Sequence, residues 1–202
     1  LMRLNQVLLG MMSRRQGDAR LALLKRGLET ASVLTLPAGV GLVAAAPSLV
    51  ALLLPQQSAD SPLPLLLAWF AVPLVFGAWN ALLARYAYAA GDTRQPLRCE
   101  LLGSLVNVLL LGVLPFVFGL AGIPLAALAG VMCTGLLLMQ RQALLGALPW
   151  ARHWLLNALA LGVAALVLFR LEGVWLQLGV STLAGAAVLL GMGLWLKPWR
   201  KA

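Results

Sequence analysis

The sequence predicts an all-α fold, a polytopic bundle of transmembrane helices, on three observations. Six apolar stretches are each near the length of a bilayer crossing: Ala31–Leu54, Leu65–Ala87, Leu101–Phe118, Ile123–Met139, Leu155–Phe169 and Val174–Leu196. A hydrocarbon core about 30 Å thick takes roughly 20 residues of helix, and without water every backbone amide must bond inside its own segment, which selects helices. Of the 202 residues, 62% are hydrophobic and only 10% are charged. A soluble chain of that length has too little interior to hide so much apolar surface. Lastly, Lys and Arg gather at alternate ends of the spans.

The first thirty residues read as two pieces. Leu1–Met12 looks like the tail of a span whose beginning is missing, with no signal-peptide cleavage pattern. After Ser13–Asp18, the stretch Ala19–Thr30 puts Leu21, Leu24 and Leu28 on one helical face and Arg20, Lys25, Arg26 and Glu29 on the rest. That pattern predicts a short amphipathic helix along the cytoplasmic membrane surface.

The spans that follow carry helix-bending residues: Pro37 and Pro47 in the first, Pro73 in the second, Pro115 late in the third. Proline removes an i→i−4 hydrogen bond, and neighbours must satisfy the freed carbonyl. Small residues let helices approach closely, as in Gly122, Ala126, Ala127 and Gly130, or Gly185, Gly191 and Gly193. Simple packing and the rocking of bent helices during transport are both compatible with these features.

Between the second and third spans, Tyr86–Arg98 reads as a helix stop, a tight turn and a restart. Gly91 suits the left-handed residue that ends a helix. Asp92 or Thr93 can accept from the exposed amides of the next helix, and Pro96 suits its first turn. Arg94 and Arg98 then face the head groups.

Fourteen of the 15 Lys and Arg residues fall on one side: six within residues 1–30, then Arg85, Arg94, Arg98, Arg141, Arg152, Lys197, Arg200 and Lys201. Arg170 alone is on the other side. The positive-inside rule makes the rich side cytoplasmic, so both termini face the cytoplasm, which an even number of spans requires. The net charge of +9 is therefore read as attraction to anionic phospholipids, not to nucleic acid, because no basic face is interleaved with stacking aromatics.

Few polar residues lie inside the spans, so each is a candidate. Asn80 in the second span and Asn107 in the third are either interhelical hydrogen bonders or transport residues. Arg85, about one turn from the cytoplasmic end of the second span, either snorkels to the interface or serves transport. No acidic residue sits in the middle of a span, which argues against ion coupling through a buried carboxylate here. His153 between Trp150 and Trp154 reads as part of an aromatic belt. Cys99 and Cys133 have no metal or disulfide spacing. The sequence shows no catalytic constellation, metal site or cofactor motif, so no enzyme activity is expected of this segment.

The turn motif carries a resemblance. A span ending in an aromatic-Tyr-Ala stretch followed by Gly91-Asp92-Thr93-Arg94-Gln95-Pro96 resembles the MurJ/MviN family of lipid II flippases, within the multidrug/oligosaccharidyl-lipid/polysaccharide exporter superfamily. Leu8–Asp18 is similar to the family's Leu-Leu-Pro-x-Leu-Ser-Arg followed by Gly-Asp, with Gly10 in place of the proline. Leu34–Leu42 resembles its Leu-Pro-Ala-x-x-Gly-Leu run, Asn107 matches an Asn in the helix after the turn, and Gly119–Ala127 resembles its Gly-x-x-Gly-Leu-Ala-x-Ala turn. Residues 55–64 depart from the family's Gly-x-Phe-Thr loop, and the last two spans match by hydropathy alone.

The resemblance implies the C-terminal part of a fourteen-helix, two-lobe flippase of the bacterial inner membrane. Residues 1–30 would hold the end of a span and the cytoplasmic helix, residues 31–145 four helices of the second lobe, and residues 146–202 two additional helices and a cytoplasmic tail. It implies alternating-access transfer of an undecaprenyl-linked peptidoglycan precursor from inner to outer leaflet. The partner would be the missing N-terminal lobe, which carries most cavity arginines, and the last two helices would line a groove for the lipid tail. An exporter of polysaccharide lipids or small molecules in the same superfamily is an alternative. A non-transporting membrane scaffold for cell-wall enzymes is another.

Overall fold

The computed structural model describes residues 10–14, 17–56, 61–146, 159–166, 171 and 173–196, and the regular structure among them is entirely helical. Five long or medium helices and one short one carry the architecture: α1 (Asp18–Leu53), α2 (Leu63–Ala89), α3 (Arg94–Leu111), α4 (Leu114–Phe118), α5 (Gly122–Arg141) and α6 (Val174–Leu196). Residues 159–166 are also helical. The packing order is α6–α1–α2–α5–α3, so α6 and α3 flank a central trio.

Four helical stretches among the described residues are long and apolar enough to cross a membrane: Asp18–Leu53, Leu63–Ala89, Leu114–Arg141 and Val174–Trp195. The expected third span, Leu101–Phe118, is not one straight helix. It stops at Leu111, turns at Gly112–Val113 and resumes as α4, because the ring of Pro115 excludes the carbonyl four residues back from a helical bond. A 3-10 turn, Gly119–Ala121, then reverses the chain into α5. Both ends of the expected fifth span (155–158 and 167–169), the residues around His153, the basic tail and residues 1–9 lie outside the described residues.

The first helix differs from expectation in one respect. No break separates an in-plane helix from the first span: α1 runs unbroken for 36 residues, about 54 Å at 1.5 Å per residue. That exceeds the hydrocarbon thickness, so the charged first turns extend beyond it. Nothing between Thr30 and Ala31 breaks a helix, and the hydroxyls of Thr30 and Thr35 donate to the carbonyls of Arg26 and Ala31, each at 2.8 Å. The apolar stripe containing Leu24 and Leu28 is covered by protein, not lipid. It joins a core with Met12, Trp79, Leu82, Leu83 and Leu138. A second core nearer the other end contains Val33, Leu36, Val40, Ala68, Ala71, Ala164 and Met192.

The helices stay continuous through Pro37, Pro47 and Pro73. Away from the charged helix ends, the outward faces carry large apolar side chains: Leu74, Leu101, Val108, Leu183 and Leu190 are exposed, and Phe116 is 89% exposed. Large exposed apolar side chains on every flank are what a lipid solvent permits.

Candidate functional site

An apolar concavity lies where α1, the 159–166 helix and α6 meet. It is a groove of about 530 Å³ floored by Leu36 and Val40, walled on one side by Leu159 and Val163 and on the other by Val188 and Trp195. Its size falls within the roughly 300–1,000 Å³ of sites that hold whole small molecules. Its lining among the described residues is Leu, Val, Ala, Gly, Met and Trp, so apart from the Trp195 indole N–H those side chains bring neither charge nor polar groups to a ligand. Its chemistry suits a hydrocarbon chain.

The wall formed by α6 is attached to α1 at identifiable points. A Cβ built on Gly185 would lie 3.3 Å from the Pro37 carbonyl oxygen, so the backbones nearly touch there. Farther along, the Ser48 hydroxyl donates to Gln177 Oε1 at 2.6 Å and lies 3.1 Å from the Val174 carbonyl oxygen. Ser181 donates to the Gln177 carbonyl at 2.6 Å, which turns its hydroxyl back onto α6. Gln177 is only 4% exposed.

The polar residues singled out in the sequence do not converge. Asn80 donates from Nδ2 to the Val131 carbonyl at 2.7 Å and packs against Gly135, where an added Cβ would meet its Oδ1 at 2.7 Å. It lines a cavity of about 20 Å³ together with Trp79 and Met139, room for about one water. Asn107 reaches the same helix from α3: its Cβ would be 2.7 Å from a Cβ placed on Gly130, and its buried Oδ1 has no hydrogen-bond partner. Arg85 is half-buried with Nη1 buried and without a hydrogen bond. Neither Arg85 nor Asn107 lines the groove.

The cytoplasmic turn forms as its residues require. Gly91 has φ +86, and the Asp92 amide bonds to the Ala87 carbonyl at 3.1 Å, closing the end of α2. Asp92 Oδ1 then accepts from the amides of Arg94 and Gln95 at 3.1 and 3.0 Å. Of the two capping candidates, Asp92 acts, and the Thr93 side chain makes no cap bond. Pro96 is buried in the first turn of α3, whereas Thr93 and Arg94 are exposed.

Sequence reasoning missed the Ser48–Gln177 pair and the buried bond from Trp79 Nε1 to Ser32 Oγ at 3.0 Å. Gln177 sits one turn inside the last span, where it reads as an interfacial residue. Serines within a span pass hydropathy scanning unnoticed. A buried partner 129 positions away leaves no local signal.

Comparison with known proteins agrees with this architecture. Residues 2–190 match the family model described as lipid II flippase MurJ. Among solved structures, one titled lipid II flippase MurJ, inward closed conformation, aligns with a TM-score of 0.72 at 20% identity. The alignment covers 96% of this chain and 42% of that one, so the chain spans less than half the length of that structure. The likeness is one of fold. No curated protein matches the chain significantly.

Proposed function

The chain belongs to the MurJ family of lipid II flippases, and from that premise we propose that it works as the C-terminal part of such a flippase. It would move an undecaprenyl-linked peptidoglycan precursor from the inner to the outer leaflet by alternating access. Residues 31–145 would supply four helices of the second lobe, and residues 146–202 the two helices that follow. Both termini would face the cytoplasm of a bacterial inner membrane, with Arg94, Arg98 and Arg141 among the anionic phospholipid head groups.

The observation that carries this reading is the apolar groove between α1, residues 159–164 and α6. A disaccharide-peptide head group cannot cross about 30 Å of hydrocarbon unaided, whereas its polyprenyl tail never needs to leave it. The tasks therefore separate: a polar cavity between two lobes for the head, and an apolar slot open to lipid for the tail. The groove has the composition of the second. The head-group site is assigned to the lobe outside this chain. Asn80, Arg85 and Asn107 are the polar residues that this half could contribute to the cavity.

The test is rescue of bacteria depleted of their own lipid II flippase, with outer-leaflet precursor as the readout. The full-length protein is expected to restore it and residues 1–202 alone are not. A full-length protein that is well expressed and correctly inserted yet restores none would overturn the substrate assignment.

A further inference from the structure

We propose that Ser48 and Gln177 form a polar staple that positions α6 on α1 and thereby sets the width of the apolar groove. The inference rests on the reading of that groove as the tail site, and it deepens that reading by naming what holds one wall in place.

Among the helices α1–α6, the substantial contacts of α6 are with α1. In lipid, two apolar helices gain no hydrophobic driving force by associating, because acyl chains solvate them as well as Leu does. Position must come from close packing and hydrogen bonds. Two such features lie along the α1–α6 line. The first is the backbone approach of Gly185 to the Pro37 carbonyl. The second is the Ser48–Gln177 bond, 2.6 Å long between side chains that are 1% and 4% exposed.

One point of attachment leaves a pivot and two fix a direction. Val40, at the groove floor, is eight residues from Ser48, or about 12 Å along the helix. Gly185 lies between the staple and the far groove wall, Val188 to Trp195. Release of the staple would let α6 swing about Gly185, and the wall beyond it would move the opposite way. Met192 also touches the second core, but its flexible unbranched side chain follows a moving backbone.

The chemistry of the pair supports a positioning role. Ser48 Oγ stands between the Gln177 side-chain amide, at 2.6 Å, and the Val174 carbonyl, at 3.1 Å, so one hydroxyl meets both the side chain and the backbone at the head of α6. With the Gln177 amide turned, Nε2 donates to Oγ and the hydroxyl proton goes to the Val174 carbonyl, which leaves neither group of the pair in conflict. Such contacts fix register, since a hydrogen bond is directional and dispersion is not.

The test uses the full-length protein carrying Cys99→Ala and Cys133→Ala, with spin labels at Leu34→Cys and Leu194→Cys. Both sites are exposed, on α1 and on the inner end of α6. Pulsed dipolar spectroscopy should give one narrow distance in the otherwise native protein. Ser48→Ala and Gln177→Leu should each lose it in favour of a broad distribution, and so should the double variant, which leaves no orphaned polar group. A reference pair at Leu74→Cys and Leu136→Cys, on α2 and α5, should stay unchanged and so report an intact fold. An unchanged α1–α6 distance in both single variants, or a native distance in the double variant, overturns the staple. The distance needs no transport. A staple that responds as expected in a protein that moves no lipid II would sink the substrate reading and leave the positioning role standing.

Discussion

Two helix seams in this molecule begin alike and end differently. Along α3–α5 and along α1–α6, antiparallel helices approach through glycine. In the α3–α5 seam the contact is reciprocal: a Cβ on Gly103 would lie 2.7 Å from the Gly130 carbonyl oxygen and overlap the Thr134 hydroxyl. A Cβ on Gly130 would lie 2.8 Å from the Gly103 carbonyl oxygen. Beyond the end of α3, Gly122 at the head of α5 stands against the backbone of Leu114 in α4. The α1–α6 seam has one close backbone approach, at Gly185, and side chains of both helices border the groove beside it. The first seam is shut along its length by backbone, which cannot yield. The second is held at points and leaves room for a ligand. Rigidity and access are thus assigned to opposite flanks of the α1–α2–α5 centre.

The comparison breaks most visibly at Gly130. Gly130→Leu puts a side chain where backbone already stands, and overpacking of that kind costs about 3 kcal/mol or more. Little monodisperse protein should survive extraction in mild detergent, and thermal unfolding of what remains should shift down by several degrees. The counterpart in the open seam is Gly191→Ala, on the groove wall. Nothing lies within 4 Å of its added Cβ, so stability should stay within about 0.5 kcal/mol of the parent. Equal losses at both positions would show that the two seams are not different in kind.

Function should divide the other way. Val188→Trp fills the groove from its α6 wall without entering the closed seam. In the full-length protein it should lower precursor transport at least about tenfold, equivalent to ~1.4 kcal/mol in the barrier, while the unfolding temperature barely moves. Native transport by a stable Val188→Trp protein would remove the groove from the lipid's path.

How much of this contrast is legible in the sequence depends on the range of the signal. Helical class follows from hydropathy and from the physics of the bilayer. The stop and restart at Gly91–Pro96 is local chemistry and reads directly. The stripe at Gly122, Ala126 and Gly130 announces close packing, and α3 is one of the helices it packs against. What the sequence does not carry is which stripe stays closed. Gly185 and Gly191 form a similar stripe, yet Gly185 touches backbone and Gly191 lines the groove. The expected in-plane helix went astray for a related reason. An amphipathic face reads the same whether lipid or protein will cover it, and here α2 and α5 cover Leu24 and Leu28.

A smaller effect sharpens how the closed seam starts. Asp92 satisfies two amides at the head of α3, and its replacement by Ala should cost about 1 kcal/mol. Thr93→Ala should cost almost nothing, since Thr93 makes no cap bond. Chemical unfolding in detergent mixtures would compare them. A larger loss for Thr93→Ala would mean that the cap belongs to the other residue.

The finest discrimination concerns the two asparagines on either side of α5. Asn80→Ala removes a bond to the Val131 carbonyl, and interhelical hydrogen bonds in membranes average about 0.6 kcal/mol. Asn107→Ala removes a buried oxygen that has no partner and keeps the Cβ that packs on Gly130, so stability should be unchanged within error. That asymmetry makes Asn107 the cleaner probe of transport. A fall in activity there cannot be blamed on unfolding, and the orphaned oxygen would then mark a group kept for the other lobe or for the precursor. Wild-type transport in Asn107→Ala and Arg85→Ala together would remove both from the transport path, leaving this half of the molecule to supply the rigid seam and the tail groove alone.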